Sequence, residues 1–301
     1  MQSANQRLLL IDGMALLFRA FYATAVTGQF MVNTKGMPTN AVQGFMKHLF
    51  LAIEDTEPTH VMVCWDMGSK TFRNELFEGY KSNREAPPIE LIPQFDFVKE
   101  VVDACEIQNI GIAGFEADDC IGTIAKAVHR DINVIIVTGD RDLLQLLDEQ
   151  IEVRILQKGF GNYKSYTHDL FIEELGVTPK QFIDVKALMG DTSDGYPGVK
   201  GIGEKTALKL IQQYEHIDGL LLNLTGLSPS QRKKIEDDMD MLHLSRKLAE
   251  INCEVPLVYS LEHAVWSNVP DTFDDYLHDM ELRSIRRHMI QSNYFLTMGR
   301  A

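Results

Sequence analysis

The chain is predicted to fold as an α/β protein in which a mostly parallel central sheet is flanked by helices and followed by a helical region. Apolar runs at residues 7–12, 60–66 and 132–137 are typical of buried parallel strands, and amphipathic helical patterns separate them. Beyond Thr178 the strand patterns fade and helical patterns take over. With 301 residues, the chain can bury a large core, and we expect an α/β region at 1–175 and a helical region at 176–301.

Composition narrows the functional classes. Apolar residues make up 45% and charged residues 24%, no apolar run reaches membrane-spanning length, and residues 1–6 carry no apolar signal, so we expect a cytoplasmic protein without a membrane partner. The four cysteines form no Cys-x-x-Cys pair and the nine histidines lack zinc-site spacing, so any metal should be bound by oxygen. The net charge of -14 argues against nucleic acid unless many acids share one cation-filled cleft and basic patches lie beside it.

The three predicted strands are each followed by a carboxylate. Asp12 ends the first apolar run, Asp66 ends the second, and Asp140 comes shortly after the third. Ligands of open parallel sheets gather at the carboxyl ends of the strands. We therefore expect these three acids to converge on one site.

Further acids occur in two short clusters. Glu116, Asp118 and Asp119 open a predicted helix, and three carboxylates in four residues exceed what helix capping needs. Asp191 and Asp194 are three apart, which would bring both to one face of a turn. Asp142 follows Asp140 closely and is typical either of a helix cap or of another site acid.

The segment between residues 67 and 88 mixes cations with aromatics, including Arg73, Tyr80, Lys81 and Arg84. Such a mixture suits a single nucleic-acid strand, whose phosphates need charge and whose bases stack. An exposed helix followed by a loop explains the same residues equally well. Arg19 and Tyr22 lie three apart on the helix after the first strand and are, taken alone, typical of a solvated arginine and a packed tyrosine.

The stretch from Leu188 to Ala207 contains a glycine-rich turn between two helical patterns. A plain turn is the ordinary explanation, but a helix-hairpin-helix that grips the DNA backbone fits this run better, because free backbone amides and lysines follow the glycines. The candidate DNA contacts of this hairpin are Lys200, Gly201, Gly203, Lys205 and Thr206.

Together the acids predict bound divalent cations. Two carboxylates about 4 Å apart repel by roughly 4 kcal/mol at an effective dielectric near 20, so a shared pocket needs cations or protons. Oxygen ligands favour two or more Mg²⁺ ions, for which Mn²⁺ can substitute, and two such ions can hydrolyse a phosphodiester without a protein nucleophile. Lys81, Arg84 and Arg73 are candidate catalytic cations that would neutralise the scissile phosphate.

These motifs resemble the 5'-3' exonuclease and flap endonuclease family over residues 8–251. The resemblance is carried by Ile11-Asp12-Gly13, Thr71-Phe72-Arg73, Tyr80-Lys81-Ser82-Asn83-Arg84, Glu116-Ala117-Asp118-Asp119, Thr138-Gly139-Asp140-Arg141-Asp142 and Met189-Gly190-Asp191-Thr192-Ser193-Asp194 with the glycine turn after it. Gly195-Tyr196 and the position of Gly68 depart from the family pattern, but neither change removes an acid.

The resemblance implies a PIN-like nuclease core, a helical arch at about 67–90 and a helix-hairpin-helix at about 188–214. It assigns the acids to two metal clusters, the first comprising Asp12, Asp66, Glu116, Asp118 and Asp119 and the second comprising Asp140, Asp142, Asp191 and Asp194. It places Tyr80, Lys81 and Arg84 in the arch that accepts the 5' strand, and we add Arg19 and Tyr22 as DNA contacts. It also implies K⁺ at the hairpin, near Val199 and Ile202.

The expected function is therefore a Mg²⁺-dependent 5' nuclease that cuts DNA 5' flaps and ends, including RNA-primed ones, in replication and repair. We expect a monomer that acts without a fused polymerase. Two alternatives stay open: a junction-binding protein that does not cut, and an RNA nuclease of related topology.

Overall fold

The computed structural model describes residues 6–25, 28, 30–292, 294 and 295. The strands are β1 (Arg7–Asp12), β2 (His60–Cys64), β3 (Gln108–Ile110), β4 (Asn133–Thr138), β5 (Ile151–Leu156) and β6 (Tyr163–Tyr166). The α-helices are α1 (Gly13–Ala25), α2 (Asn40–Thr56), α3 (Phe72–Leu76), α4 (Ile92–Ala104), α5 (Ala117–Val128), α6 (His168–Leu175), α7 (Pro179–Met189), α8 (Glu204–Tyr214), α9 (Ile217–Leu222), α10 (Pro229–Asp237), α11 (Met239–Ala249), α12 (Phe273–Asp279) and α13 (Arg283–Gln291). Short 3₁₀ helices lie at Arg141–Leu146, Leu224–Gly226 and Glu262–Ala264.

The strands form one sheet in the order β3-β2-β1-β4-β5-β6. All neighbours pair in parallel except β5 and β6, which are antiparallel. The predicted α/β class, a mostly parallel sheet between helices with a helical C-terminal region, is confirmed.

Each face of the sheet carries its own core because side chains alternate along a strand. On β1, Leu8 and Leu10 pack into a core with α5 and α7–α11, whereas Leu9 and Ile11 pack into a core with α1, α2, α12 and α13. All four side chains are fully buried. The continuous apolar runs of the sequence thus follow from a sheet covered on both sides.

The register of the sheet brings three strand-terminal acids to one edge. Asp12 is the last residue of β1 and pairs with Cys64, the last residue of β2, so Asp66 follows immediately beside it. Asp140 lies two residues beyond the end of β4, on the other side of β1. The chain reverses its direction of winding at β1, which makes this edge the expected ligand position of such a sheet.

Three elements differ from the sequence expectations. The β5–β6 hairpin was not predicted, since β6 is a short, largely exposed strand. Within the arch predicted at 67–90, only α3 is α-helical, and turns or irregular backbone make up the rest. In the region beyond Thr178 where helical patterns were predicted, the helical stretch breaks at Asp238, between α10 and α11, and the Asp238 carboxylate accepts a hydrogen bond from the Lys200 backbone amide 2.8 Å away.

Candidate functional site

A cleft of about 1290 Å³ opens at the carboxyl edge of the sheet. Five of the predicted acids line it, namely Asp12, Asp66, Glu116, Asp118 and Asp140. Four of the predicted cationic or aromatic contacts line it as well, namely Arg19, Tyr22, Lys81 and Arg84. Side chains from distant parts of the chain therefore meet in one cavity, as the strand-end pattern predicted.

Backbone and hydroxyl donors fix the orientation of the strand-end acids. Asp12 accepts from the Ala15 amide at 2.9 Å and from the Thr138 hydroxyl at 2.7 Å, and Asp66 accepts from the Ala117 amide at 2.7 Å. Burial and then the charges of Asp66 and Asp140 raise the pKa of Asp12 to about 6. Burial likewise raises the pKa of Asp66 and Asp140. The site thus disfavours its own negative charge in the absence of a cation.

Asp118 is the acid most strongly affected by its neighbours. Burial and the charges of Asp140, Asp12 and Glu116 raise its pKa well above the usual value. Within the described part of the chain its carboxylate receives no hydrogen bond, and it faces the cleft. It is therefore the acid with the most to gain from a bound cation.

Asp119, which was also predicted as a metal ligand, lies in a different environment and does not line the cleft. It is fully buried, and Arg73 donates to both of its oxygens at 2.8 Å. The backbone amides of Glu116 and Asn252 donate to the same oxygens at 3.0 and 2.9 Å. Four donors therefore hold this carboxylate in place inside the protein.

Arg73, which was predicted as a catalytic cation, is the partner of Asp119 and does not line the cleft. Its side chain is buried and also donates to the backbone carbonyls of Leu248 and Glu250 at 3.0 and 2.9 Å. Burial lowers its pKa, but the hydrogen bonds and charge of Asp119 outweigh this effect and raise it. Arg73 therefore ties α3 to α5 and to the end of α11 rather than reaching a scissile phosphate.

The predicted arch residues contact the acids directly. Lys81 donates to Glu116 at 2.6 Å, and Arg84 donates to Asp194 at 2.7 Å. Tyr80 is buried, and its hydroxyl lies 3.0 Å from both Glu116 and Asp194. Lys81 and Arg84 line the cleft, whereas Tyr80, which was also predicted to contact the strand, is buried and does not line it.

A buried lysine pairs with two of the four acids that were predicted to form the second metal cluster. Lys186 on α7 forms ion pairs with Asp142, at 2.7 Å, and with Asp191. Burial opposes the charge of Asp191, but bonds from Lys186 and Ser193 lower its pKa to about 2. Burial and the charge of Asp140 raise the pKa of Asp142 to about 7. Asp142, Asp191 and Asp194 lie behind the cleft wall rather than on it.

The donor set fits hard divalent cations, although the side chains are not gathered around one point. Among the described residues, no three His, Cys, Asp or Glu side chains are grouped closely enough to hold a metal ion as they stand. Instead, the cationic groups of Lys81, Arg84 and Lys186 form ion pairs with the acids. Every acid on the cleft offers oxygen, which is the ligand that Mg²⁺ and Mn²⁺ prefer. Burial, followed by the charges of neighbouring acids, raises the pKa of Asp12 and Asp118, so a bound cation would stabilise their charged forms.

The predicted hairpin lies between α7 and α8. Gly198 and Gly201 have φ values of 60° and 80°, which glycine adopts readily, and Gly203 caps α8. Lys200, Gly201 and Lys205 are exposed, and Thr206 is half-buried. Val199 and Ile202 are buried, so only their backbone carbonyls could serve K⁺.

Two backbone carbonyls at the turn where K⁺ is expected already accept hydrogen bonds from the protein. The Ile202 amide donates to the Val199 carbonyl at 3.0 Å, and the Lys234 ammonium donates to the Gly201 carbonyl at 3.0 Å. One cationic group of the protein thus lies on the turn where the ion is expected.

Sequence reasoning missed Lys186 and a group of residues on α2 and the β5–β6 loop, including His48 and Phe160, that also line or border the cleft. Lys186 sits inside an ordinary helical pattern, so no local signal marks it. The four cysteines are free, and three of them are buried, as predicted. Among the described helices, none is long and apolar enough to span a membrane.

Family models cover both parts of the chain. Residues 7–176 match the 5'-3' exonuclease N-terminal resolvase-like domain, and residues 177–272 match the 5'-3' exonuclease C-terminal SAM fold. A 5'-3' exonuclease of Bacillus subtilis (strain 168) is 57% identical, covering 96% of this chain and 98% of the relative. DNA polymerase I of Streptococcus pneumoniae serotype 4 is 41% identical over 89% of this chain, which spans only 31% of that protein.

Solved structures with low identity share the fold. A bacteriophage T5 flap endonuclease in complex with DNA and metal ions matches with a TM-score of 0.67 and 20% identity, over 98% of this chain and all of that chain (100%). Flap endonuclease-1 from Methanococcus jannaschii matches with a TM-score of 0.59 and 16% identity, over 93% and 90% of the two chains. The acid-lined cleft, the sheet that forms it and these matches lead to one conclusion: the chain belongs to the 5'-3' exonuclease family and is a nuclease, a phosphodiester hydrolase.

Proposed function

We propose that the protein is a divalent-metal-dependent nuclease that hydrolyses DNA at 5' flaps and 5' ends. The observation that carries the proposal is the convergence of Asp12, Asp66, Glu116, Asp118 and Asp140 in one cleft, where burial and then neighbouring charges disfavour the charged forms of Asp12 and Asp118. A cleft of this kind is stabilised by bound cations. The T5 relative, whose structure contains DNA and metal ions, supports both ligands.

We assign the metal to the cleft acids. Asp12, Asp66, Glu116, Asp118 and Asp140 would hold Mg²⁺ or Mn²⁺ directly, with Asp142, Asp191 and Asp194 behind them as a second group reached through solvent or by side-chain movement. When bound, a pair of such ions supplies a hydroxide at neutral pH and neutralises charge on the attacking and leaving oxygens.

The residues of the chain prepare this chemistry in three ways. Thr138 and the Ala15 and Ala117 amides fix the orientation of Asp12 and Asp66, so that their free lone pairs face the cleft. Lys81 and Arg84 now neutralise Glu116 and Asp194, and transfer of these cations to a substrate phosphate would release the acids for metal. Lys81 and Arg84 come from one turn segment and pair with acids of the site. Substrate binding to these cations and metal binding to the acids would therefore be coupled.

Duplex DNA would be held by the hairpin between α7 and α8, with its backbone amides and the side chains of Lys200, Lys205 and Thr206 on phosphates. The carbonyls of Val199 and Ile202 could share a K⁺ ion there. Arg19 and Tyr22 would contact the strand in the cleft. The biological setting we propose is removal of RNA-primed 5' ends in replication and repair, by a monomer.

A flap-cleavage assay tests the proposal. Labelled DNA with a 5' flap should be cut in Mg²⁺ and remain intact in EDTA, and Asp118→Asn should abolish cutting while the exposed-acid control Asp131→Asn cuts normally. A band shift without product would favour a junction-binding protein. Equal or faster cutting of an RNA substrate of the same shape would favour an RNA nuclease.

A further inference from the structure

A second group of side chains borders the same cleft and has no role in the proposed chemistry. Lys47 and His48 lie on α2, and Lys158 and Phe160 lie on the loop between β5 and β6; we call these four residues the α2–loop wall. His48, Lys158 and Phe160 line the cleft that contains the acids. The wall therefore faces whatever strand enters that cleft.

The β5–β6 loop places Phe160 against α2. The Gln157 amide donates to the Asn162 carbonyl at 2.8 Å, which closes the loop. Gly159 and Gly161 have φ values of 99° and 64°, a conformation that L side chains rarely adopt. At Gly161 the Leu51 side chain lies 3.5 Å from the position that a Cβ would take. The loop thus lies close against α2.

Phe160 organises the two α2 side chains. The Phe160 and His48 ring centroids are 4.5 Å apart, and the Lys47 ammonium lies 4.5 Å from the Phe160 centroid. A cation within about 6 Å of an aromatic face is attracted to it. Phe160 is nevertheless 39% exposed. The Phe160 ring therefore contacts both the Lys47 ammonium and the His48 imidazole, and it lines the cleft together with His48 while remaining partly exposed.

His48 carries an unused polar atom. It is 2% exposed, and its Nδ1 has no hydrogen-bond partner in the described part of the chain. Burial, followed by the charges of Arg19 and Lys47, lowers its pKa to about 4, so the ring is neutral at pH 7. Buried polar atoms are normally paired, so the unpaired Nδ1 beside the cleft marks a position where a ligand could supply the missing hydrogen bond.

The cations of the wall lack carboxylate partners. Among the described residues, no carboxylate oxygen lies within 4.0 Å of the charged groups of Arg19, Lys47 or Lys158, although the protein has a net charge of -14. Arg19 reaches only the Leu156 carbonyl, at 3.4 Å. Arg19 and Lys47 both act on the buried imidazole, and Lys158 lines the same cleft. These cations without carboxylate partners form an environment suited to an anion.

The wall adjoins the acids on the Asp140 side. The Leu156 side chain, at the end of β5, lies 3.9 Å from the Cβ position of Gly139, the residue before Asp140. A strand whose phosphate lay over the acids would therefore extend toward the wall.

We propose that Lys47, His48, Lys158 and Phe160, together with Arg19, form a phosphate subsite that holds the DNA strand beside the bond being cut and helps to set the cleavage position. This inference rests on the proposed function, since it takes DNA as the occupant of the cleft. The ligand is a phosphate group, supplied either by an internal phosphodiester or by a terminal 5' phosphate.

Binding and cleavage of 5'-flap DNA by the full chain test the subsite. Affinity is measured in Mg²⁺ in the Asp118→Asn background, where no cutting is expected, and cleavage positions are mapped without that substitution. Lys158→Ala should weaken binding about tenfold and reduce the slope of log Kd against log salt by about 1. Lys158→Arg should restore most of the affinity, and Phe160→Ala should broaden the distribution of cleavage positions.

The matched control is Lys164→Ala, on the same hairpin, where Lys164 pairs with Glu174 at 2.8 Å and does not line the cleft. Flaps ending in a 5' phosphate and in a 5' hydroxyl separate the two phosphate sources. A loss confined to the 5'-phosphate flap assigns the terminal group, and an equal loss on both assigns an internal phosphodiester.

The subsite is overturned if Lys158→Ala and Phe160→Ala match Lys164→Ala in affinity, salt slope and cleavage positions while their melting temperatures equal that of the unmodified chain. This result is distinguishable from failure of the proposed function, because in that case the unmodified chain would not cut flap DNA at all.

Discussion

Asp118 and Asp119 are adjacent in the sequence and lie in opposite environments. Asp119 is fully buried with four donors, two from Arg73 and two from backbone amides. Asp118, one position earlier on α5, faces the cleft among other acids, and its pKa is raised. Successive residues of a helix point about 100° apart, so one acidic motif serves both a buried structural ion pair and a site that requires cations.

The largest expected contrast is in activity. Asp118→Asn removes a ligand of the proposed metal site and should lower the single-turnover rate of flap cleavage by about 10³-fold or more, while leaving the melting temperature unchanged or higher. The Asp131→Asn control should cut at the normal rate. Cleavage by Asp118→Asn within tenfold of the unmodified chain would show that the cleft acids are not the catalytic centre.

The second contrast is in stability. Asp119→Ala leaves the buried Arg73 guanidinium without its main partner and should lower the free energy of unfolding by about 3–5 kcal/mol. Urea unfolding followed by circular dichroism measures this change. An unfolding midpoint equal to that of the Asp131→Ala control would mean that the Arg73–Asp119 pair does not hold α3 against α5.

The pH dependence of stability separates the cleft acids from ordinary carboxylates. The pKa of Asp12 is raised to about 6 and that of Asp142 to about 7, so the folded chain holds more protons than the unfolded chain between about pH 4 and 7. Stability in EDTA should therefore fall as pH rises through this window. Mg²⁺ should raise the melting temperature more at pH 8 than at pH 5; an equal shift at both values would contradict the account.

Lys186 offers a smaller test on the second acid group. Lys186→Met removes the cation that pairs with Asp142 and Asp191, so the pKa of Asp191 should rise from its value of about 2 toward the ordinary range. Carboxyl-detected NMR titration measures it. The exposed Lys180→Met on the same helix should leave that pKa in place, and an unchanged value in Lys186→Met would refute the pairing.

Tyr80 gives the smallest expected effect. Tyr80→Phe keeps the ring and removes the hydroxyl that bonds Glu116 and Asp194, so stability should fall by roughly 1–3 kcal/mol. If Tyr80 instead stacked on a DNA base, the phenyl ring of Tyr80→Phe could stack in the same way. The variant would then keep both the stability and the flap-DNA affinity of the unmodified chain. Chemical unfolding and a gel-shift titration of the same preparation distinguish the two roles.

Much of this arrangement follows from local sequence patterns. Apolar runs that end in Asp12, Asp66 and Asp140 fix both the parallel sheet and the edge where the acids meet, because register places the strand ends together. The glycine turn at 198–203 likewise marks the hairpin, since its φ values favour glycine.

The remaining features depend on contacts between distant segments. Nothing local distinguishes Asp119 from Asp118, because the difference comes from Arg73, 46 residues earlier in the chain. Lys186 and His48 lie within regular helical patterns and gain their roles only from what packs against them. The β5–β6 loop belongs to a hairpin whose second strand is too short and polar for periodicity to reveal.

The central claim is that the cleft acids bind divalent metal and that Asp119 does not. Titration of Mn²⁺ into the full chain, followed by electron paramagnetic resonance of the free ion, tests it directly. We expect Mn²⁺ binding by the unmodified chain and by Asp119→Asn, and at least tenfold weaker binding by Asp118→Asn. Equal Mn²⁺ affinity in the unmodified chain and in Asp118→Asn would contradict the account.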